Sequence, residues 1–260
     1  MPELPEVEIY SRYFRRHGLG QKIATVRVRD ERILGDIRPD RFVRELRGRA
    51  FRDVRRHGKH LFADAGATWL HLHFGMTGDL AAYREEEPRF ARVIFDFASG
   101  MHLAFEDMRL FGVVDLTPDP DRFIADHGLG PDPLDPSFKL ADFRRLLERR
   151  KGAVKSLLMS QEIIAGIGNL YADEILFQTS IHPRRPVDRI RPEEARAIFT
   201  AMRKILREVI ARHEAGREAP GAYLLSHREA GDRCPRCGGT IVRSVVFGRT
   251  TYHCGRHQRA

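Results

Sequence analysis

The start of the chain offers a candidate amine nucleophile. Pro2 follows Met1, and a small residue in that place commonly leads to loss of the initiator methionine, which would leave a secondary amine directly before Glu3. Such an amine forms Schiff bases with carbonyl carbons, and an adjacent carboxyl can shuttle the proton as the intermediate forms and collapses. Proline also suits the first turn of a helix, so the pair gains meaning only in company. Lys59 lies in Arg55-Arg56-His57-Gly58-Lys59-His60, a basic turn entering an apolar strand, where it is either a stabiliser of a developing anion or a solvated charge. Arg249 sits at the tip Phe247-Gly248-Arg249-Thr250-Thr251, from which a guanidinium could fork onto a phosphate. A solvated surface arginine is the alternative there.

Three further stretches suit a nucleic acid. His73-Phe74-Gly75-Met76-Thr77-Gly78 holds an apolar side chain between two glycines, either as core or as a wedge between bases. Glu106-Asp107-Met108-Arg109-Leu110-Phe111-Gly112 places Arg109 and Phe111 two apart at a strand end, a guanidinium to bond an orphaned base and a phenyl to fill a gap. Residues 155–183 contain two apolar helical stretches broken by Gly166-Ile167-Gly168-Asn169. Asn169 reads as the N-cap of the second, whose first N–H groups would be free to hold a phosphate.

The three cysteines, Cys234, Cys237 and Cys254, all fall in the last 27 residues. An odd, clustered count favours metal ligation over a disulfide framework. Cys234-x2-Cys237, then sixteen residues, then Cys254-x2-His257 describes two knuckles joined by a hairpin, Ile241 to Val246 and Thr250 to His253. Four N/S ligands at such spacing suit tetrahedral zinc with no open position, a structural site. His257 has the spacing of the fourth ligand, and His253, beside Cys254, is the alternative. A module this small cannot fold on its own apolar surface, and structural zinc contributes on the order of 10–16 kcal/mol in such peptides.

These groups need elements to position them. Val7, Tyr10 and Phe14 predict a helix over 5–17; runs at Ile23–Val28, Trp69–Leu72 and Val93–Phe97 predict strands, the last returning through Ser99-Gly100 to Met101–Phe105. Residues 1–115 thus read as a β-sandwich or barrel with one helix. Prolines and acids over 116–137 predict a linker, and helical spacing takes over from 138, including a helix from Pro192 with a stripe of Ile198, Met202, Ile205, Leu206 and Val209. Residues 214–227 read as a flexible loop closing the 138–227 domain, and 228–260 as the metal finger. The chain has 260 residues, 45 Lys+Arg against 36 Asp+Glu and a formal net charge of +9, which favours a polyanionic partner. The finger is itself basic, with seven arginines and two acids over 228–260. No run of about 18 apolar residues occurs and the start MPELPEVE is acidic, so neither a membrane span nor a signal peptide is expected and the cytoplasm is the expected compartment.

Taken together, PELPEVE, RRHGKHLF, HFGMTG, DMRLFG, IIAGIGNLYADEILF and the C-terminal finger, in this order, resemble the formamidopyrimidine-DNA glycosylase/endonuclease VIII family almost end to end. The resemblance implies an α+β multidomain protein: an N-terminal catalytic β-sandwich with one helix, and a C-terminal helix-two-turn-helix domain with a β-hairpin zinc finger. It also implies a monomeric base-excision DNA glycosylase/AP lyase acting on damaged double-stranded DNA of the nucleoid, with one structural zinc. By resemblance Pro2 attacks C1′, Glu3 donates the first proton, Lys59 serves β-elimination and Arg249 δ-elimination. His73, Arg150, Lys155 and Asn169 fall at DNA-binding positions, and Met76, Arg109 and Phe111 fill the void left by an extruded nucleotide, as in the formamidopyrimidine branch.

Three departures stand out. His257 replaces the usual fourth cysteine, His57 is an addition to the lysine turn, and residues 214–233 replace a longer, aromatic-containing lid over the extruded base. The last leaves 8-oxoguanine, formamidopyrimidines, oxidised pyrimidines and bulkier adducts all open as substrates. Two rival functions are a non-catalytic DNA-damage-binding protein on the same scaffold and a zinc-dependent hydrolase.

Overall fold

The computed structural model describes residues 2–259, so the expected removal of Met1 lies outside the described residues. The chain divides into two compact units, Pro2 with Glu6–Gly128, and Glu3–Pro5 with the chain from Leu129 onward. In order come α1 (Leu4–Gly18), β1 (Ile23–Val28), α2 (Pro39–Leu46), β2 (Val54–His57), β3 (His60–Asp64), β4 (Trp69–His73), β5 (Gly78–Tyr83), β6 (Ala91–Phe97), β7 (His102–Asp107), β8 (Val113–Thr117) and α3 (Pro120–Asp126). The second unit continues with α4 (Leu140–Leu147), α5 (Val154–Met159), α6 (Asn169–Gln178), α7 (Pro192–Glu214) and the hairpin β9 (Ile241–Val246) and β10 (Arg249–Cys254).

The first unit is a sandwich of two antiparallel four-stranded sheets, ordered β1-β6-β7-β5 and β2-β3-β4-β8. Alternating apolar residues of both sheets meet in one core with Val7 and Phe14 of α1, and Phe51 packs edge-on against Phe14 at 4.9 Å and Phe95 at 5.6 Å.

Beyond the opening helix the unit carries α2, which buries Phe42 and Leu46 one turn apart, and α3, which lies in the stretch expected to be a linker. The physical reason for α3 is local. Asp119 accepts from the N–H groups of Asp121 and Arg122, and Pro120 occupies the first helical position, where a missing N–H costs nothing. The rest of the 116–137 stretch is also tied down: Pro131 accepts from Ala165 N–H, and buried Asp132 caps Leu134 N–H at 2.8 Å.

Helix α3 covers an aromatic face of the β3–β4 pair. Cross-strand pairing sets His60 opposite His73 and Phe62 opposite His71. Phe123 packs against His71 at 4.4 Å with the rings tilted, and His127 stacks on Phe123 at 3.8 Å. His60 Nδ1 and His71 Nε2 share one proton across 2.9 Å.

In the second unit, α7 buries Ala195, Ile198, Met202, Ile205, Leu206 and Ile210 against α4, α5 and α6; Val209, expected in that stripe, is half-buried. Part of the segment expected to be a flexible loop is anchored. The Tyr223 hydroxyl donates to Glu208 at 2.7 Å, Leu224 is fully buried, and Leu225 N–H donates to the Glu174 carboxylate at 2.9 Å. Two apolar side chains and a buried acceptor outweigh the Gly/Pro-rich composition that suggested mobility.

Burial, and then the neighbouring imidazoles, push His60 down to about 2 and His71 to about 3, from an ordinary value of 6.5. Both values are lowered, so both rings fold neutral: their contribution is complete above pH 6.5 and is lost as pH falls below it. Each such ring steepens the acid limb by up to about 1.4 kcal/mol per pH unit. The first unit should therefore melt at progressively lower temperature from pH 7 to pH 5, and His60→Phe, which keeps a ring in the stack, should give a shallower decline; an identical decline in the variant would refute this assignment.

Candidate nucleic-acid interface and metal centre

In the first unit the site rests on two loops held together by one carboxylate. Asp107, at the end of β7, is fully buried and accepts from the Thr77 hydroxyl, from Arg109 N–H at 3.0 Å and from Gly112 N–H at 2.7 Å. Burial opposes its charge, but these bonds hold the carboxyl below its usual range. Gly75 has φ +56, and a Cβ there would lie 2.3 Å from the Phe111 carbonyl, so only glycine lets the HFGMTG turn approach the second loop. The signal for Asp107 in the sequence is a carboxylate directly before a turn rich in N–H groups that no strand partner takes.

The paired loops project apolar tips. Met76 is 44% exposed and Phe111 53%, which settles Met76 as a surface rather than a core residue. The Arg109 guanidinium lies 4.7 Å over the Phe111 ring, so the two act as one stacked group. Both stand in the loop after β7 rather than on a strand face, because Leu110 turns the chain with φ 57.

Lys59 is in the turn between β2 and β3 with its side chain largely buried, not solvated. His73, on β4, accepts Gly75 N–H at Nδ1 over 3.3 Å, which leaves Nε2 to carry the proton. Burial, then the Lys59 charge, lower its pKa. A neutral ring that donates from Nε2 suits a phosphate oxygen. Pro2, also in this unit, is partly exposed.

In the second unit the helix-turn-helix differs from expectation at its centre. The N-cap of α6 is Gly168, and Asn169 is the first helical residue. The amides expected to be open to phosphate are filled: Glu3, only 3% exposed, accepts Gly168 N–H at 2.6 Å, Leu170 N–H at 2.7 Å and Tyr171 N–H at 3.3 Å. A helix N-terminus attracts any carboxylate that can reach it. A Cβ on Gly168 would fall 2.5 Å from the Glu3 carboxyl carbon, so glycine is required for this approach.

Lys155 is fully buried and thus not placed to meet a phosphate. Its Nζ pairs with Asp173 at 2.7 Å and donates to the Thr251 hydroxyl at 2.7 Å. Asp173 also accepts from Arg228 at 2.9 Å and from Tyr252 N–H at 3.1 Å. Burial lowers Lys155 and raises Asp173, while their mutual attraction works against both shifts. Asn169 Nδ2 donates to the Thr250 carbonyl at 2.9 Å, and its buried Oδ1 has no protein partner. Lys155, Asn169 and Asp173 together clamp β10, whose first residue is Arg249, onto α5 and α6. Asp173 and Arg228 carry no local signal, because a pair of acids on an otherwise apolar helix gives no sign of a partner far along the chain. Arg249 and Arg150 are exposed.

The four expected metal ligands converge. Atoms of Cys234, Cys237, Cys254 and His257 lie within 4.8 Å of one another and could hold a metal ion. His257 Nδ1 is 3.4 Å from Cys237 Sγ and 3.6 Å from Cys234 Sγ, and Cys237 and Cys254 sulfurs are 3.5 Å apart. Tetrahedral bonds of about 2.3 Å to sulfur and about 2.0 Å to nitrogen give edges of roughly 3.5–3.8 Å, so the set fits such an ion. His257 Nε2 faces the Phe177 carbonyl at 3.3 Å; donation there leaves the Nδ1 lone pair aimed at the cluster. The His257 ring also pulls the Cys237 thiol down to about 6. His253 points elsewhere, edge-on to His182 at 4.7 Å.

Residues 1–114 match the formamidopyrimidine-DNA glycosylase N-terminal domain and residues 129–219 the formamidopyrimidine-DNA glycosylase H2TH domain. Among similar proteins, the formamidopyrimidine-DNA glycosylases of Methylococcus capsulatus and Solibacter usitatus are 37% identical over 275 residues and 36% identical over 273 residues, with all of both chains covered in each case. The fold is similar to that of Lactococcus lactis formamidopyrimidine-DNA glycosylase bound non-covalently to DNA containing an AP site, with TM-score 0.88 and 26% identity over 99% of this chain and 100% of that one. MutM in complex with DNA containing carbocyclic 8-oxo-G matches with TM-score 0.89 and 26% identity over both full chains. With two domain matches that cover most of its length and relatives this similar from end to end, the chain belongs to the formamidopyrimidine-DNA glycosylase family.

Proposed function

We propose that the protein is a bifunctional DNA glycosylase/AP lyase of base-excision repair, which works as a monomer in the cytoplasm on damaged duplex DNA through a Schiff base on Pro2. Family membership supports the glycosylase activity. The observation that carries the nucleophile is the fixed carboxylate of Glu3, one peptide bond from Pro2 and immobilised by three amides.

The Pro2 nitrogen attacks C1′ as the N-glycosidic bond breaks and the base departs with its electron pair. The attacking amine must lose a proton; in this reading the neighbouring carboxylate Glu3 accepts it and delivers it to the ring oxygen as the sugar opens to the iminium. Loss of a C2′ proton then expels the 3′ phosphate, and loss of a C4′ proton expels the 5′ phosphate. In this reading Lys59 assists the first elimination and Arg249 the second. His73 and Arg150 hold backbone phosphates, while Met76, Arg109 and Phe111 occupy the space of the extruded nucleotide. Lys155 and Asn169 act through the hairpin they clamp rather than by direct phosphate contact. Zinc is the ion we assign to the Cys234, Cys237, Cys254 and His257 cluster; with four protein ligands it supplies structure and no open coordination position, which disfavours a zinc hydrolase.

Borohydride reduction with an abasic-site duplex tests the nucleophile. The mature protein should become covalently attached, and Pro2→Gly, which leaves a primary amine, should trap at least tenfold more slowly; equal trapping would place the nucleophile elsewhere. A second test concerns the metal. His257→Cys should retain one zinc per chain and bind DNA, whereas His257→Ala or chelation should lose zinc, duplex affinity and strand nicking together. Full affinity in zinc-free protein would contradict the structural assignment.

A further inference from the structure

The tip of the finger hairpin carries a residue that the fold does not explain. Val246 pairs with Arg249, so Phe247 and Gly248 form a two-residue turn, and both have positive φ, 47 and 72. That is the signature of a type I′ turn, which favours Asn-Gly, Asp-Gly or Gly-Gly. A phenylalanine at the first position is conformationally disfavoured. Packing does not compensate: Phe247 is 75% exposed, more than any other exposed large hydrophobic residue among those described. A ring held in a disfavoured backbone conformation and turned to solvent points to a role outside the fold.

The surroundings indicate what the ring meets. Arg243 and Arg249 are exposed on the same hairpin, and Arg184 reaches it by donating to the Val245 carbonyl at 2.8 Å. An aromatic face among guanidinium groups matches a nucleotide strand, where phosphates take the charge and a base takes the ring. Two residues of extended chain span at most about 7 Å, so Phe247 lies beside the strand whose phosphate Arg249 would hold, within a few nucleotides of it. A base within a regular duplex is covered on both faces, so the ring can stack only where stacking is interrupted, as beside an extruded or missing nucleotide.

We propose that Phe247 stacks on an unstacked base next to the lesion and so contributes to discrimination between damaged and intact DNA. This rests on the DNA-glycosylase reading but not on the chemistry assigned to Pro2. The test measures binding of the zinc-loaded protein to a duplex with one tetrahydrofuran abasic analogue and to its undamaged counterpart. Phe247→Ala and Phe247→Leu should weaken binding to the damaged duplex roughly tenfold, from the usual worth of one base–aromatic stack, and to the undamaged one less than twofold. Phe247→Tyr should restore it. Phe247→Asn, which suits the turn, should match or exceed the parent melting temperature and still lose damage binding, which separates a DNA contact from a folding role. Quenching of 2-aminopurine placed beside the analogue should fall in the Ala variant. Rescue by Leu equal to that by Tyr, an equal loss on both duplexes, or unchanged binding in all variants would overturn the proposal, as would loss of affinity for anionic vesicles without loss for DNA. Borohydride trapping at saturating protein should persist in every variant; its absence from the parent as well would count against the Pro2 chemistry alone.

Discussion

The contact on which the second unit depends is a single carboxylate at the head of a buried helix. Helix α6 is buried on nearly every side, with Tyr171 through Phe177 all buried, so its first amides need acceptors from within the protein. Glu3 satisfies three of them and is itself almost wholly buried, which is tolerable only because those same amides replace its hydration. The exchange constrains three regions at once. Gly166 must turn with φ +98, Gly168 must lack a side chain, and Leu4 N–H must reach the Gly166 carbonyl at 3.0 Å.

The far side of α6 uses the same logic with charges. Lys155, Asp173 and Arg228 form a buried group that accepts and donates into the backbone and hydroxyls of β10. Removing one member of such a group strands the others without solvent, so it holds the finger in one position more than it adds net stability. Arg236 extends the attachment by donating to the Phe177 carbonyl at 2.7 Å, and Gln258 does so through Ile181 at 3.0 Å. The metal ligands, the base of the finger and the C-terminal end of α6 are therefore one construction, and Arg249 is positioned by all of it.

What could be read from the sequence was what local spacing carries. The cysteine pairs, the strand runs and most of the α7 stripe follow from periods of two or three to four residues; the exposure of Met76 and Phe111 does not, because both sit in turns without a period. Helix α3 was hidden by composition, although Asp119-Pro120 is itself a start signal. The family resemblance sets Lys155 and Asn169 at DNA-binding positions, and local spacing offers nothing against it. Their actual partners, Asp173, Thr250 and Thr251, come from a separate helix and from a hairpin far along the chain, and no periodicity reports such pairing. The resemblance gives Glu3 a proton-carrying role; that it caps a helix more than 160 residues away is visible only in the fold.

Hydrogen exchange at individual amides tests the Glu3 contact most directly. In the parent protein the Gly168, Leu170 and Tyr171 amides should be strongly protected, and Glu3→Gln, which keeps size but halves the acceptor capacity and removes the charge, should speed their exchange at least tenfold while Met202 and Leu206 on α7 remain unchanged. Equal protection of the three amides in both proteins would mean that the carboxylate does not hold the helix.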